Sequence, residues 1–362
     1  MTSETVPNFE SDIALTMLSR LLLSTNAAGS YANLPTNLDE RENMLALANS
    51  HHVVVRAMDA FHKIACAQKN LEAASWASAA IMRERARIKN ATSFLGGICQ
   101  ALESNGCGVM VIKSLDHWPD MGSDLDLYTD SPPEIVVALM KKHFDARIAA
   151  RSWGDRLANK WNFLIDGLPE LVEIHVSRLG QTGEQTAIAA RLSARSRPLQ
   201  IAGRIFAVAG TEDRLMICTL QRMYRHFYAR LCDIVDTASL VASDAVDFSA
   251  LRAFAHYAGI WQGVATFLVV VSDYVEQYRG SPLDLPAFVK DAAAFGVESI
   301  RFERGFLRIP ILPHSARLYT SELTDLLRKG DLWNTARLTL LPLLATAAVI
   351  GQKVTGSDKG IW

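Results

Sequence analysis

Ser123-Asp124-Leu125-Asp126-Leu127 decides how this chain reads. Two aspartates stand two residues apart in an apolar run of strand character, just after a loop carrying Pro119 and Gly122. Strand side chains alternate faces, so Asp124 and Asp126 point the same way. Aspartate is disfavoured in strands, and two like charges on one face repel. A hard divalent cation offsets that cost, because it takes carboxylate oxygens and keeps positions free for phosphate. The plain alternative is a solvent-facing edge strand with ordinary polar alternation. The sequence on either side separates the two.

Upstream, Val109-Met110-Val111-Ile112 is a continuous apolar run, as in a strand buried on both faces, and it ends in Lys113-Ser114. Downstream, Pro132 and Pro133 open a helix through Lys142. Further strands are expected over residues 144–149, 161–165 and 171–176, with Gly167-Leu168-Pro169 turning between the last two, and a hairpin over 199–209 turns at Gly203. In Leu171-Val172-Glu173-Ile174-His175-Val176, Glu173 and His175 share a face. If that strand lies beside the Asp124 strand, three carboxylates converge, the number that two-metal phosphoryl chemistry uses. Lys113 and the loop 114–123 would then meet an arriving phosphate, with loop N–H groups able to cradle it.

The flanks carry helical periodicity. Helices are expected over residues 11–23, 39–67 and 71–104, the last broken near Asn90 and at Gly96-Gly97 and stopped by Asn105-Gly106. From Thr211-Glu212-Asp213, which resembles an acidic N-terminal cap, helices are expected to fill the rest, with breaks near Gly280-Ser281-Pro282 and residues 309–313. In one of these, Arg222, His226, Arg230, Asp233 and Thr237 fall on one side, and Leu220, Met223, Phe227, Leu231 and Ile234 on the other. The polar side is either a solvated face or a wall of the cleft, with Arg222 and Arg230 neutralising phosphate and Asp233 or Asp236 holding the arginines. Lys160 and Arg178 are further phosphate contacts in this reading, one of Trp118, Trp153 and Trp161 could stack on a base, and His51-His52 reads as structural. His175 would support a metal-binding carboxylate. The expected fold is α+β: a small mixed β-sheet core over 109–210, between helical regions over 1–108 and 211–362.

Composition bounds the rest. At 362 residues, 49% hydrophobic and with net charge -1, the chain can bury a large core and is not a disordered one. Residues 141–230 hold fifteen Lys or Arg against eight Asp or Glu, a basic segment directly after the aspartate pair. Five scattered cysteines form no C-x-x-C pair and read as reduced intracellular thiols. No basic region followed by an apolar core opens the chain, and the most apolar runs, 265–271 and 338–350, are too short for a bilayer. A soluble, cytoplasmic protein with no membrane partner is expected.

Together, Val111-Ile112-Lys113-Ser114, Asp124-Leu125-Asp126-Leu127, Glu173-Ile174-His175 and the His226-to-Arg230-to-Asp233 segment resemble the polymerase-beta-type nucleotidyltransferase superfamily. More narrowly, they resemble an uncharacterised bacterial nucleotidyltransferase family with helical flanks. The resemblance spans residues 40–245. It implies a nucleotidyltransferase core that moves a nucleoside monophosphate from an NTP, ATP foremost, to a hydroxyl acceptor. A small molecule or protein acceptor is favoured over RNA, since no RNA-binding module follows. It implies two Mg²⁺ ions, with Mn²⁺ as a substitute, held by Asp124, Asp126 and Glu173 as catalytic metal ligands. Lys113, Ser114, Gly122, Ser123, His175, Arg222, His226 and Arg230 would line the nucleotide site. Three features depart from the pattern. Ser114 stands where the family has glycine. The arginine often found in the loop is replaced by a stretch with Asp116, His117 and Asp120. Glu173 replaces an aspartate. They keep open a second expectation, a non-catalytic nucleotide- or partner-binding protein on the same fold.

Overall fold

The computed structural model describes residues 9–24 and 34–342. In chain order the helices and strands are α1 (Phe9–Leu23), α2 (Leu38–Ser50), α3 (Val54–Ala67), α4 (Leu71–Glu103), β1 (Met110–Val111), β2 (Asp124–Thr129), α5 (Pro133–Phe144), β3 (Arg147–Ile148), α6 (Trp153–Leu157), β4 (Lys160–Ile165), β5 (Leu168–Val176), α7 (Thr186–Leu192), β6 (Arg197–Ile201), β7 (Arg204–Val208) and α8 (Thr211–Thr219). A π-helix (Leu220–His226) continues α8. There follow β8 (Tyr228–Ala229), α9 (Leu231–Ala242), α10 (Phe248–Ala258), α11 (Trp261–Arg279), α12 (Ala287–Ala292), β9 (Arg301–Glu303), β10 (Phe306–Arg308), α13 (Ala316–Arg328) and α14 (Leu332–Thr339). The α+β class stands. No helix among the described residues is long and apolar enough to cross a membrane. Most of the apolar run at 338–350 lies outside them.

Seven strands form one mixed sheet in the order β3-β4-β5-β2-β1-β7-β6, larger than the small sheet expected. The β2–β5 and β1–β7 pairs are parallel and the others antiparallel. Alternation divides the strands between two layers. Leu125, Leu127, Val172, Ile174 and Phe163 pack on Ile88, Leu95, Ile98 and Leu102 of α4 and on Val136 and Met140 of α5. The opposite face carries Met110, Ile112 and Tyr128 against Leu215, Met216, Ile217 and Leu220 of the α8 segment, and the polar side chains of β2 and β5 emerge there. The same apolar cluster joins α1 and α3 to α9 and α11, so the N- and C-terminal helices share one core.

Several expectations are corrected. Helix α4 runs unbroken for 33 residues, with Asn70 capping it by accepting from the Ala73 N–H at 3.0 Å. Its glycines are not breaks: the Arg204 side chain lies close against Gly96, where a Cβ would collide with it, and Gly97 is in ordinary contact with the Phe144 ring. The helix expected over 39–67 is two helices parted at residues 51–53. The amphipathic helix expected through 220–237 is broken. The chain widens to a π-turn, leaves it at Phe227 with φ of 55°, and restarts as α9. Tertiary pairing overrides the helical pattern here. β8 pairs with β10 in a second sheet, order β8-β10-β9, and the Phe227 carbonyl accepts from the Ile309 N–H at 2.9 Å. That three-stranded sheet, within a region expected to be all helical, was not anticipated.

Candidate functional site

The register of β2 and β5 builds the site. Their parallel pairing puts Asp126 opposite Glu173 and Tyr128 opposite His175, so Asp126, Glu173 and His175 share one face. One ligand atom from each of Asp126, Glu173 and His175 lies within 4.8 Å of the others. Asp124 stands one step along the same face and is held by the Ser123 hydroxyl, which donates to its Oδ2 at 3.2 Å. Next door, β4 pairs with β5 so that Lys160 faces His175 and Asn162 faces Glu173. The structure therefore gathers the three expected carboxylates and His175 from two strands separated by about fifty residues of sequence.

Two ammonium groups balance the carboxylates. Lys113 Nζ contacts Asp126 Oδ1, from a backbone with φ of 65° at the end of β1. The left-handed position is thus the lysine itself and not Ser114, where the family's glycine falls. Lys160 Nζ donates to both oxygens of Glu173 at 3.0 Å and lies 3.0 Å from Asp155 Oδ1. Lys160 is thus a partner of Glu173, where the sequence suggested a phosphate contact. Asp155 is itself placed by a capping box with Ser152 at the start of α6.

Electrostatics differ sharply across the site. Burial, then the negative charges of Glu173 and Asp126, push Asp124 up to about 6. Burial also opposes ionisation of Asp126, but the Lys113 ammonium and contact with His175 hold it well below the ordinary carboxylate range. His175 is pulled down to about 4 by burial, so its ring is neutral at neutral pH. Its Nε2 lies 3.6 Å from Asp126 Oδ1, too long for a hydrogen bond, and both ring nitrogens are buried without a partner. Asp126 Oδ1, by contrast, is held by the Lys113 ammonium. Buried ring nitrogens left without a partner, as in His175, are places where a ligand or a water is accommodated.

A cleft lies beside this face, lined by Ile112, Lys113, His175, Gly180, Gln221 and Arg225 but by none of the three carboxylates. Its cavity is small, about 30 Å³. It admits an ion and water; a nucleotide needs the rim to part. Arg225, from the π-helix, reaches to 3.9 Å from Asp155 Oδ1 and adds a cation that sequence reasoning missed, because the widened turn rotates it into the cleft. Burial holds His226 neutral, well below its ordinary value, and the positive charges of Arg225, Arg222, Arg230 and Lys113 push the same way. Arg230 donates to the Tyr228 hydroxyl at 3.3 Å and lies over the Tyr228 and Phe306 rings.

The remaining expected residues are committed elsewhere. Arg222 is fully buried and pairs with Asp233 at 2.6 Å, so it faces the core and not the cleft. The Ser114 hydroxyl is buried. It accepts from the Asp126 N–H at 2.7 Å and donates to the Asp124 carbonyl at 3.2 Å, splicing the loop onto β2. The Gly122 carbonyl accepts from Arg87 Nη1 at 3.2 Å. Arg178 donates to the Gly183 carbonyl. The loop acids are neutralised, Asp116 by Arg214 and Asp120 by Arg56, both at 2.7 Å, so they add little negative charge to the cleft. His51 is structural, as expected, and fully partnered. Its Nδ1 accepts from the Leu231 N–H and its Nε2 donates to the Gly305 carbonyl, both at 2.9 Å.

No protein-family model matches the sequence, and no curated protein is significantly similar to it. The geometry of the site stands on its own.

Proposed function

We propose that the chain is a metal-dependent nucleotidyltransferase that moves a nucleoside monophosphate from an NTP, ATP foremost, to a hydroxyl on a small molecule or protein. The observation that carries the reading is the β2–β5 register, which sets Asp126 against Glu173 beside an unpartnered His175 and next to Asp124. Oxygen ligands in that number fit Mg²⁺ or Mn²⁺. Asp124, Asp126 and Glu173 would hold the cations, which would neutralise triphosphate charge and lower the pKa of the attacking hydroxyl.

The chain's own groups do the rest. Lys113, released from Asp126, is within reach of the triphosphate tail. Glu173, now held by Lys160 through both oxygens, would hold a cation in its place and so help activate the acceptor hydroxyl. Neutral His175 would steady Asp126 once Nε2, now 3.6 Å from Oδ1, closes onto it. Arg225, which lines the cleft, would supply positive charge for the leaving pyrophosphate. A second reading, a non-catalytic nucleotide- or partner-binding protein, draws on one observation: Lys113 and Lys160 already neutralise Asp126 and Glu173, and no carboxylate lines the neighbouring cleft.

Labelled NTPs, Mg²⁺ and a panel of hydroxyl acceptors separate the two. The first reading requires metal-dependent pyrophosphate release that Asp126→Asn abolishes. Nucleotide binding without turnover would select the second.

A further inference from the structure

A second cluster of ligating side chains lies outside the carboxylate cleft, where the β1–β2 loop meets α9. His117 Nδ1 is 2.5 Å from Asp236 Oδ2, and Asp236 Oδ1 takes Arg56 Nη1 at 2.5 Å. The ring is thereby fixed with Nε2 facing Cys232 Sγ at 3.7 Å. Asp233 divides its carboxylate. Oδ2 takes the Arg222 guanidinium and the Arg230 backbone N–H at 2.6 and 2.7 Å. Oδ1 faces sulfur, with Cys218 Sγ at 3.7 Å. One ligand atom from each of His117, Cys232 and Asp233 lies within 4.8 Å of the others.

The spacing has a chemical meaning. A tetrahedral ion with metal–sulfur bonds of about 2.3 Å and metal–nitrogen bonds of about 2.05 Å has a sulfur–nitrogen edge of about 3.5 Å. The His117–Cys232 separation is within a few tenths of an ångström of that edge. Metal-bound histidines commonly donate their other ring N–H to a carboxylate, the arrangement Asp236 already makes.

We infer that His117, Cys232 and Asp233 form a site for a thiophilic divalent cation of the zinc class, with Cys218 beside the fourth position. On binding, the Cys232 S–H bond breaks and the sulfur–metal bond forms, His117 gives up any proton on Nε2 and coordinates there while keeping Nδ1–H on Asp236, and the released protons leave to solvent. The ion would tie the loop that precedes Asp124 to α9. The two sites select different ions: the sulfur site takes the softer one, and the oxygen-rich cleft takes Mg²⁺ or Mn²⁺. The inference does not depend on the proposed activity.

The test uses the full chain, stripped with a chelator and titrated with Co²⁺. A thiolate-to-cobalt charge-transfer band is expected to saturate at one equivalent. It should persist in Asp126→Asn, vanish in Cys232→Ser, and need roughly 10- to 100-fold more Co²⁺ in Asp236→Asn. Absence of the band in the unmodified protein, or an undiminished band in Cys232→Ser, would overturn the inference. X-ray absorption at the zinc edge of the zinc-loaded unmodified protein needs no variant. A shell containing sulfur supports the site, and a shell of oxygen and nitrogen alone refutes it.

Discussion

Replacing Asp124 with asparagine should stabilise the protein at neutral pH while removing its proposed chemistry. Burial and the charges of Glu173 and Asp126 raise Asp124 from 3.8 to about 6. Between those values the unfolded chain has released a proton that the folded chain still holds. Each unit of rising pH in that window therefore costs the folded state about 1.4 kcal/mol. The full cost, about 3 kcal/mol for a shift of about two units, is present above pH 6 and absent below 3.8. Solvent reaching the half-buried carboxylate trims it to about 1–3 kcal/mol. Asparagine keeps the shape and can still accept from the Ser123 hydroxyl, without the charge. Urea unfolding in EDTA, at about pH 7.5 and about pH 4, reads the effect. Asp124→Asn should gain about 1–3 kcal/mol at the higher pH and almost nothing at the lower. Excess Mg²⁺ should stabilise the unmodified protein and not the variant. A variant less stable at pH 7.5, or equally stabilised at both pH values, would refute the reasoning.

Arg225→Ala should raise the KM for NTP roughly 10- to 100-fold with a smaller change in kcat, since the lost contact is a charge-assisted one to phosphate; steady-state kinetics decide, and an unchanged KM removes Arg225 from the site. Asp233→Asn leaves the Arg222 guanidinium buried without its carboxylate and should cost about 3–5 kcal/mol in chelator-treated protein, read by urea unfolding; a loss below about 1 kcal/mol would mean that Arg222 is solvated.

The local pattern made the acid-bearing strands legible. Alternation alone sets Asp124 with Asp126 and Glu173 with His175, and both pairs lie in strands as read. Their meeting was only conditional, because strand order is a long-range property: β5 reaches β2 after β4 has turned back beside it. Lys160 as the partner of Glu173, and Asp155 as the second partner of Lys160, were invisible for the same reason, since Lys160 comes from the neighbouring antiparallel strand and Asp155 from the short helix α6. Periodicity misled at residues 220–237. Arg222 and Arg230 keep helical spacing in sequence, but the left-handed turn at Phe227 sends Arg222 into the core and leaves Arg230 over Tyr228. Strands β8 to β10 are two or three residues long, too short to carry alternation. The glycines of α4 read as breaks because the side chains that lie against them come from far along the chain.

The most direct measurement is a crystal soaked with Mn²⁺ and a non-hydrolysable NTP, with anomalous scattering recorded at the manganese edge. The account predicts manganese bounded by the Asp124, Asp126 and Glu173 carboxylates, with Lys113 moved from Asp126 onto the triphosphate. Triphosphate bound elsewhere, or no manganese and Lys113 still paired with Asp126, would contradict it.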